Sequence, residues 1–356
     1  MTHLRRQVQA DRLHAMLFTG GRGLGKRTAA LWLAQAANCQ AGTAGPCGRC
    51  SSCLSLGHLS HPDIRLVFPI RNPKGVDARD TDKSIELVSR ATIERYPEFV
   101  AGISRPGPDP RQTISIWQIR WLRREMARPP MLARRRFFIL LHADMMRDEA
   151  ANALLKALEE PSSRTTWILT SECKDRVAST ISSRCHTVRF SPVPGRSIRE
   201  WLIEENGAEP TQALVAAEVA GGSPGLALEY LNHPESHFSR PAADFFAHAD
   251  IGEDDVRESM TQIEQSDLDA AVDTLLFLHR EALRVKLGLD SPYADADPSV
   301  RARAALTTVD WLRRAVKYLV SRLRDCELNV NRNLYLYTLL SSLRSPDRSR
   351  QGATSD

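Results

Sequence analysis

A chain of 356 residues, 42% apolar, with 48 basic against 43 acidic side chains, is long enough for two or three globular domains, each with its own core. No stretch approaches the roughly 18 apolar residues of a membrane span, and Met1-Thr2-His3-Leu4-Arg5-Arg6-Gln7 lacks the apolar core of a secretory signal, so a cytoplasmic protein with no membrane partner is expected. A formal net charge of +5 permits nucleic acid nearby without requiring it.

The first predicted element is the strand Met16-Leu17-Phe18-Thr19, which runs into Gly20-Gly21-Arg22-Gly23-Leu24-Gly25-Lys26-Arg27-Thr28 and then a helix over Ala29 to Ala37. In a phosphate-cradling loop, glycines let backbone N–H groups approach the phosphates, a lysine reaches the β and γ groups, and a Ser or Thr directly after it ligates Mg²⁺. Gly20, Gly23, Gly25 and Lys26 supply the glycines and the lysine, but Arg27 stands where the hydroxyl belongs. Thr28 is no replacement, because one residue further along a helix is a rotation of about 100°. The loop keeps what could hold ATP or ADP and lacks what would hold Mg²⁺.

Next come Cys39, Cys47, Cys50 and Cys53, four of the chain's seven cysteines within fifteen residues. In an intracellular chain this spacing points away from disulfides and toward a metal. Pro46 and Gly48 supply tight turns, and four thiolates leave no open position, so a structural Zn²⁺ is expected. Cys173, Cys185 and Cys326 are isolated and read as small core residues.

A second strand near Asp63 to Phe68 completes a βαβ start. From Pro69 to Gln112 the chain reads as a proline- and glycine-rich insertion around one helical patch, Thr81 to Arg95. Helical spacing returns over Ile114 to Ala127, with Ile116, Ile119, Leu122 and Met126 along one face. Gln118 to Arg136 carries seven arginines against Glu125, with Trp117 and Trp121 nearby. That is either a solvated helix face or a contact for a nucleic-acid backbone.

Arg136 to Leu141 is a buried strand. Hydrolysis of ATP would need a carboxylate at its end to complete the magnesium shell and another to polarise water. Leu141 and His142 occupy those places, and Asp144, three residues past the strand, reads as a cap for the helix Asp148 to Glu160 that stops at Pro161. Thr166 to Thr170 is another buried strand, and Ser182-Ser183-Arg184-Cys185 leads into a last short one, Thr187 to Phe190. An arginine held at such an edge can serve a neighbour's γ-phosphate. After Pro194 the pattern is all helical, in a small unit to about Leu231 containing Gly221-Gly222-Ser223-Pro224-Gly225 and a longer block from Phe238 to Leu343. Gly288 to Pro298 reads as an interhelical loop and Ser345 to Asp356 as a polar, disordered tail. The expected domains are 1–192, 193–234, 235–344 and the tail 345–356.

Taken together, the chain resembles the delta-prime branch of the bacterial DNA polymerase III clamp-loader family, in the AAA+ superfamily. The resemblance is carried by the phosphate loop, the cysteine module, Ala143-Asp144-Met145-Met146, the run Ala151-Asn152-Ala153-Leu154-Leu155-Lys156-Ala157-Leu158-Glu159-Glu160-Pro161, and Ser183-Arg184-Cys185. It implies an α/β domain with a P-loop-type parallel sheet and zinc module, then an all-α part made of a small lid and a collar, closed by a helix over Asn329 to Leu343. It further implies a non-hydrolysing subunit whose Arg184 acts in trans on an adjacent ATPase. The partners it implies are the motor and delta subunits of a hetero-oligomeric ring and, through that ring, the sliding clamp and primed DNA. Motor subunits of the family keep Lys-Thr in the loop, acids after the strand, and an arginine in the lid where this chain has Pro224-Gly225-Leu226. Arg27, Leu141 and His142 therefore separate this chain from them. The rival readings are an autonomous ATP-hydrolysing motor subunit of the gamma/tau kind and, in another class, a zinc-dependent nucleic-acid-binding module.

Overall fold

Runs of consecutive apolar residues become strands buried on both faces, which is how parallel sheets covered by helices read in sequence. In a computed structural model, described over residues 14–42, 45–77, 79–96, 112–159, 164–233, 239–248, 253–264, 268–322 and 332–344, the chain divides into two units, Met1–Pro192 and Val193–Asp356. The first holds β1 (Ala15–Thr19), α1 (Lys26–Asn38), α2 (Ser51–Gly57), β2 (Ile64–Val67), α3 (Thr81–Glu94), α4 (Ile116–Met126), β3 (Arg136–Leu140), α5 (Asp148–Glu159), β4 (Thr165–Ser171), the short α6 (Ser179–Ser182) and β5 (His186–Arg189). The strands form one five-stranded sheet in the order β2-β3-β4-β1-β5, every pairing parallel. Leu17 lies opposite Leu169 on one side and Thr187 on the other. Leu17, Phe18, Phe137, Phe138, Ile139, Trp167, Ile168 and Leu169 are all fully buried and make the centre of this core.

The stretch expected as an insertion has a structural task at the sheet edge. Asp80 caps α3 by accepting from the Lys83 N–H at 3.1 Å, and Ile85 and Val88 face the core. Just past the helix, the Tyr96 hydroxyl donates to the Leu66 carbonyl (2.8 Å) and accepts from the Leu66 N–H (3.0 Å). Both backbone groups of one residue on the edge strand β2 are thereby satisfied, which blunts an edge that would otherwise invite pairing. Burial pushes the Tyr96 phenol up to about 12, keeping it a donor. Residues 97–111 of the same stretch lie outside the described residues, as do Glu160, Pro161, Cys326, Asn329 and the tail 345–356.

In the second unit, α7 (Gly195–Asn206), α8 (Pro210–Val219) and α9 (Pro224–Asn232) enclose a small core of Ile198, Leu202 and alanines such as Ala213 and Ala216. A separate, larger core is built by α10 (Arg240–Ala247), α11 (Glu253–Glu264), α12 (Leu268–Lys286), α13 (Pro292–Ala296), α14 (Pro298–Leu306), α15 (Val309–Arg322) and α16 (Arg332–Ser342). Inside this unit, Arg284 of α12 donates to Glu218 of α8 at 3.0 Å. The segment Gly288 to Pro298, expected to be a loop, contains the short helix α13: Ser291 accepts from the Ala294 N–H at 3.3 Å, and Pro292 fits the first turn, where its missing donor costs nothing. Among the described residues no helix is long and apolar enough to cross a membrane.

Candidate functional site

The phosphate loop opens at the carboxyl end of β1, where ligands of parallel α/β sheets bind. Gly20 has φ 143°, and a Cβ there would sit 2.3 Å from the Phe190 carbonyl oxygen, so this glycine is required by the chain that follows β5. Gly25, at φ 85°, has open space where a Cβ would be, leaving backbone room for an incoming phosphate. The first turn of α1 carries no acidic residue, and its N-cap Gly25 makes no side-chain cap bond, so the positive end of the helix is available to an anion.

Lys26 is turned inward. Its Nζ donates to the Gly20 carbonyl at 2.5 Å and the Gly21 carbonyl at 2.7 Å, so the loop's own backbone holds the cation that would bind a γ-phosphate. Burial lowers the Lys26 pKa, and the charges of Glu172 and Asp144 partly restore it. Arg27 is half-buried, its pKa lowered by burial, and Thr28 is exposed on the next face.

At the end of β3 stand Leu141 and His142, neither of them an acid. Leu141 is buried, with its N–H tied to the Val67 carbonyl at 2.8 Å. His142 takes a left-handed conformation at φ 55°, one of only two non-glycine residues with positive φ among those described, and its N–H donates to Thr170 Oγ1 at 3.2 Å. Burial lowers the His142 pKa, the charges of Glu172 and Asp144 oppose that shift, and those of Lys26 and Arg27 add to it.

Asp144 is not a helix cap. It sits in the 3₁₀ turn Ala143–Met145, Asp148 and Glu149 fill the first turn of α5, and Asp144 acts on Lys26 and His142 by its charge. Its Oδ1 is buried without a hydrogen-bond partner. Glu172, directly after β4, is a site residue that the sequence reading missed. The signal was available: an acid immediately follows the buried strand Thr165–Ser171, as a strand-end acid should.

Arg184 lies at the other end of the sheet. β5 begins at His186, which pairs with Met16, whereas the phosphate loop begins past Thr19. Four residues at about 3.3 Å each separate the two levels by roughly 13 Å. The Arg184 guanidinium donates to the Thr180 carbonyl (3.0 Å) and to Glu159 Oε1 (2.6 Å), with 38% of its side chain exposed. Of the seven arginines between Gln118 and Arg136, Arg120 stacks on Trp117 (4.8 Å), Arg124 pairs with Asp82, and Arg136 is buried in an ion pair with Asp63 at 3.3 Å. The run is therefore not a uniform basic face.

Cys39, Cys47, Cys50 and Cys53 converge, their sulfurs all within 4.8 Å of one another. Backbone N–H groups point at three of them: Cys47 N to Cys39 Sγ (3.4 Å), Cys50 N to Cys47 Sγ (3.4 Å) and Cys53 N to Cys50 Sγ (3.5 Å). Four clustered sulfurs with N–H donors behind them fit a metal ion, and this cluster could hold one. Cys173 and Cys185, expected in the core, are only half-buried.

A parallel α/β unit with a phosphate loop at its strand ends, followed along the chain by an all-helical unit, is of the P-loop-type α/β class. A family model described as DNA polymerase III, delta subunit, matches residues 1–194. The DNA polymerase III subunit delta' of Bacillus subtilis (strain 168) is 27% identical over 347 residues, covering 93% of this chain and 91% of that one. The gamma/tau subunit of Mycobacterium tuberculosis (strain ATCC 25618 / H37Rv) is 32% identical over 224 residues, covering 62% of this chain and 32% of that one. Among solved structures, a gamma subunit-related protein of Thermotoga maritima aligns with TM-score 0.43 and 17% identity over 96% of this chain and 98% of that one. The chain belongs to the DNA polymerase III delta-prime family of clamp-loader subunits.

Proposed function

We propose that this chain is the non-hydrolysing member of a clamp-loader ring, which helps place the sliding clamp on primed DNA during replication and lends Arg184 to the ATP site of an adjacent subunit. One observation carries the reading: the phosphate loop lacks its metal-holding groups at Arg27, Leu141 and His142, while Arg184 stands part-exposed at the opposite end of the sheet. The partners are the motor and delta subunits of the ring. Residues 193–234 act as the lid and 235–344 as the collar, and the protein works in the cytoplasm.

Zn²⁺ is the metal we assign to Cys39, Cys47, Cys50 and Cys53. Tetrahedral Zn–S bonds of about 2.3 Å place sulfurs roughly 3.8 Å apart, within the span of this cluster, and four thiolates give a closed site. When bound, the ion pins the segment between α1 and α2. One zinc per chain is expected by metal analysis of the purified protein, released by a chelator together with faster amide exchange across 45–57. A metal-free chain with unchanged exchange there would overturn the assignment.

A second reading, an autonomous motor subunit, is favoured by the gamma/tau similarity and by the two carboxylates near Lys26. Turnover by the purified chain separates the two. The proposed function expects background ATPase activity that Arg27→Thr does not raise, because Leu141 and His142 still supply no carboxylate. Turnover abolished by Lys26→Ala would establish the motor reading instead.

A further inference from the structure

The segment between α4 and β3 displays its side chains in an unusual way. Asp63, completely buried just ahead of β2, accepts the backbone N–H groups of Met131 (2.7 Å), Leu132 (2.7 Å) and Ala133 (2.8 Å). Its partner Arg136, also buried, donates to the carbonyls of Arg128 (2.8 Å) and Pro129 (2.9 Å) and to that of Glu125. Both members of a buried ion pair are thus committed to the backbone of one surface loop, stiffened further by Pro129 and Pro130.

That rigid loop presents two apolar side chains to water: Met131 is 76% exposed and Leu132 75%. Each gains by leaving water, and a backbone already fixed loses little entropy on docking. The loop contains no acid from Ala127 to Arg135, and Arg123, Arg128 and Arg134 are exposed beside it. A surface complementary to this one is an apolar pocket with a carboxylate rim, which is protein chemistry. A nucleic-acid backbone would meet the arginines but would set its phosphates against Met131 and Leu132.

The loop leads into the amino end of β3, and Arg184 precedes the amino end of β5, three strand positions away, or about 14 Å at 4.8 Å per strand. The two features share one end of the sheet. We propose that Met131 and Leu132 form an apolar plug that docks in an acid-rimmed pocket of the neighbouring ring subunit, on the same side as Arg184. The identity of that neighbour rests on the function proposed above; the plug itself does not.

The test uses the full chain mixed with the purified motor and delta subunits of the same cell, with association followed by sedimentation velocity and ATP turnover measured in parallel. The double variant Met131→Ser, Leu132→Ser is expected to weaken association at least tenfold with an unchanged melting temperature, and Arg128→Glu, Arg134→Glu to weaken it by electrostatic reversal. Unchanged association in the folded double variant overturns the plug, as does weakened binding of primed DNA by the isolated chain with association intact, which would make the loop a nucleic-acid contact. Arg184→Ala serves as the reference. If it leaves turnover normal while the double variant still dissociates, the arginine assignment fails and the plug stands; if it abolishes turnover while the double variant assembles normally, the reverse holds.

Discussion

Replacing Arg184 by alanine in the reassembled complex is expected to lower ATP turnover by about 10³-fold or more, the usual worth of an arginine delivered to a transferring phosphoryl group. The effect must arise in trans, because the sheet register sets Arg184 roughly 13 Å from the level of its own phosphate loop. Arg184→Lys should rescue poorly, since a point charge does not reproduce the planar fork of donors. In the chain as it stands the guanidinium is engaged by Glu159 and the Thr180 carbonyl. With both side chains of that ion pair more than a third exposed, its worth is at most about 1 kcal/mol. Release therefore costs little, and Glu159→Gln should change turnover by less than about fivefold. Steady-state hydrolysis by complexes carrying each variant is the measurement, and normal turnover by Arg184→Ala would remove the arginine from the mechanism.

Asp63→Ala should lower stability by about 3–5 kcal/mol, because it strands a buried guanidinium and three backbone donors. For a domain of this size that is a fall in melting temperature of about 10 °C. Calorimetry reads the fall, and a shift below about 3 °C would mean that the ion pair contributes little. Hydrogen exchange should show the Met131, Leu132 and Ala133 amides losing protection first. The pH dependence has a definite sign. Burial raises the Asp63 pKa, but the three N–H groups and Arg136 outweigh it and hold the carboxyl below its ordinary value. The stabilisation is complete above the unfolded carboxylate pKa of about 4 and is lost as the pH falls through the lower folded value.

The α/β start was legible because each of its elements is written locally. A strand buried on both faces is an uninterrupted apolar run, and a phosphate loop is a fixed spacing of glycine and lysine. The residue types at Arg27, Leu141 and His142 were legible for the same reason, since their positions are counted directly from those elements. The reading failed where a residue's task depends on what folds against it. Asp144 read as a cap because the turn at Ala143–Met145 is not written in its neighbours, and Glu172 was passed over because its relation to Lys26 exists only once β4 lies beside β1. Cys173 and Cys185 read as core residues because side-chain type alone does not set depth.

The sequence by itself determined the order of the elements, the four-cysteine cluster, the phosphate loop with Arg27 after its lysine and the arginine ahead of the last strand, all properties of spacing within a short stretch. Only the tertiary structure decided that Arg136 and Asp63, 73 residues apart, form one buried pair. It alone placed the Tyr96 hydroxyl on the β2 edge and Arg184 against Glu159 at the far end of the sheet from Lys26. Those relations come from long-range packing, in which strands distant in the chain become neighbours and burial compels every polar group among them to find a partner.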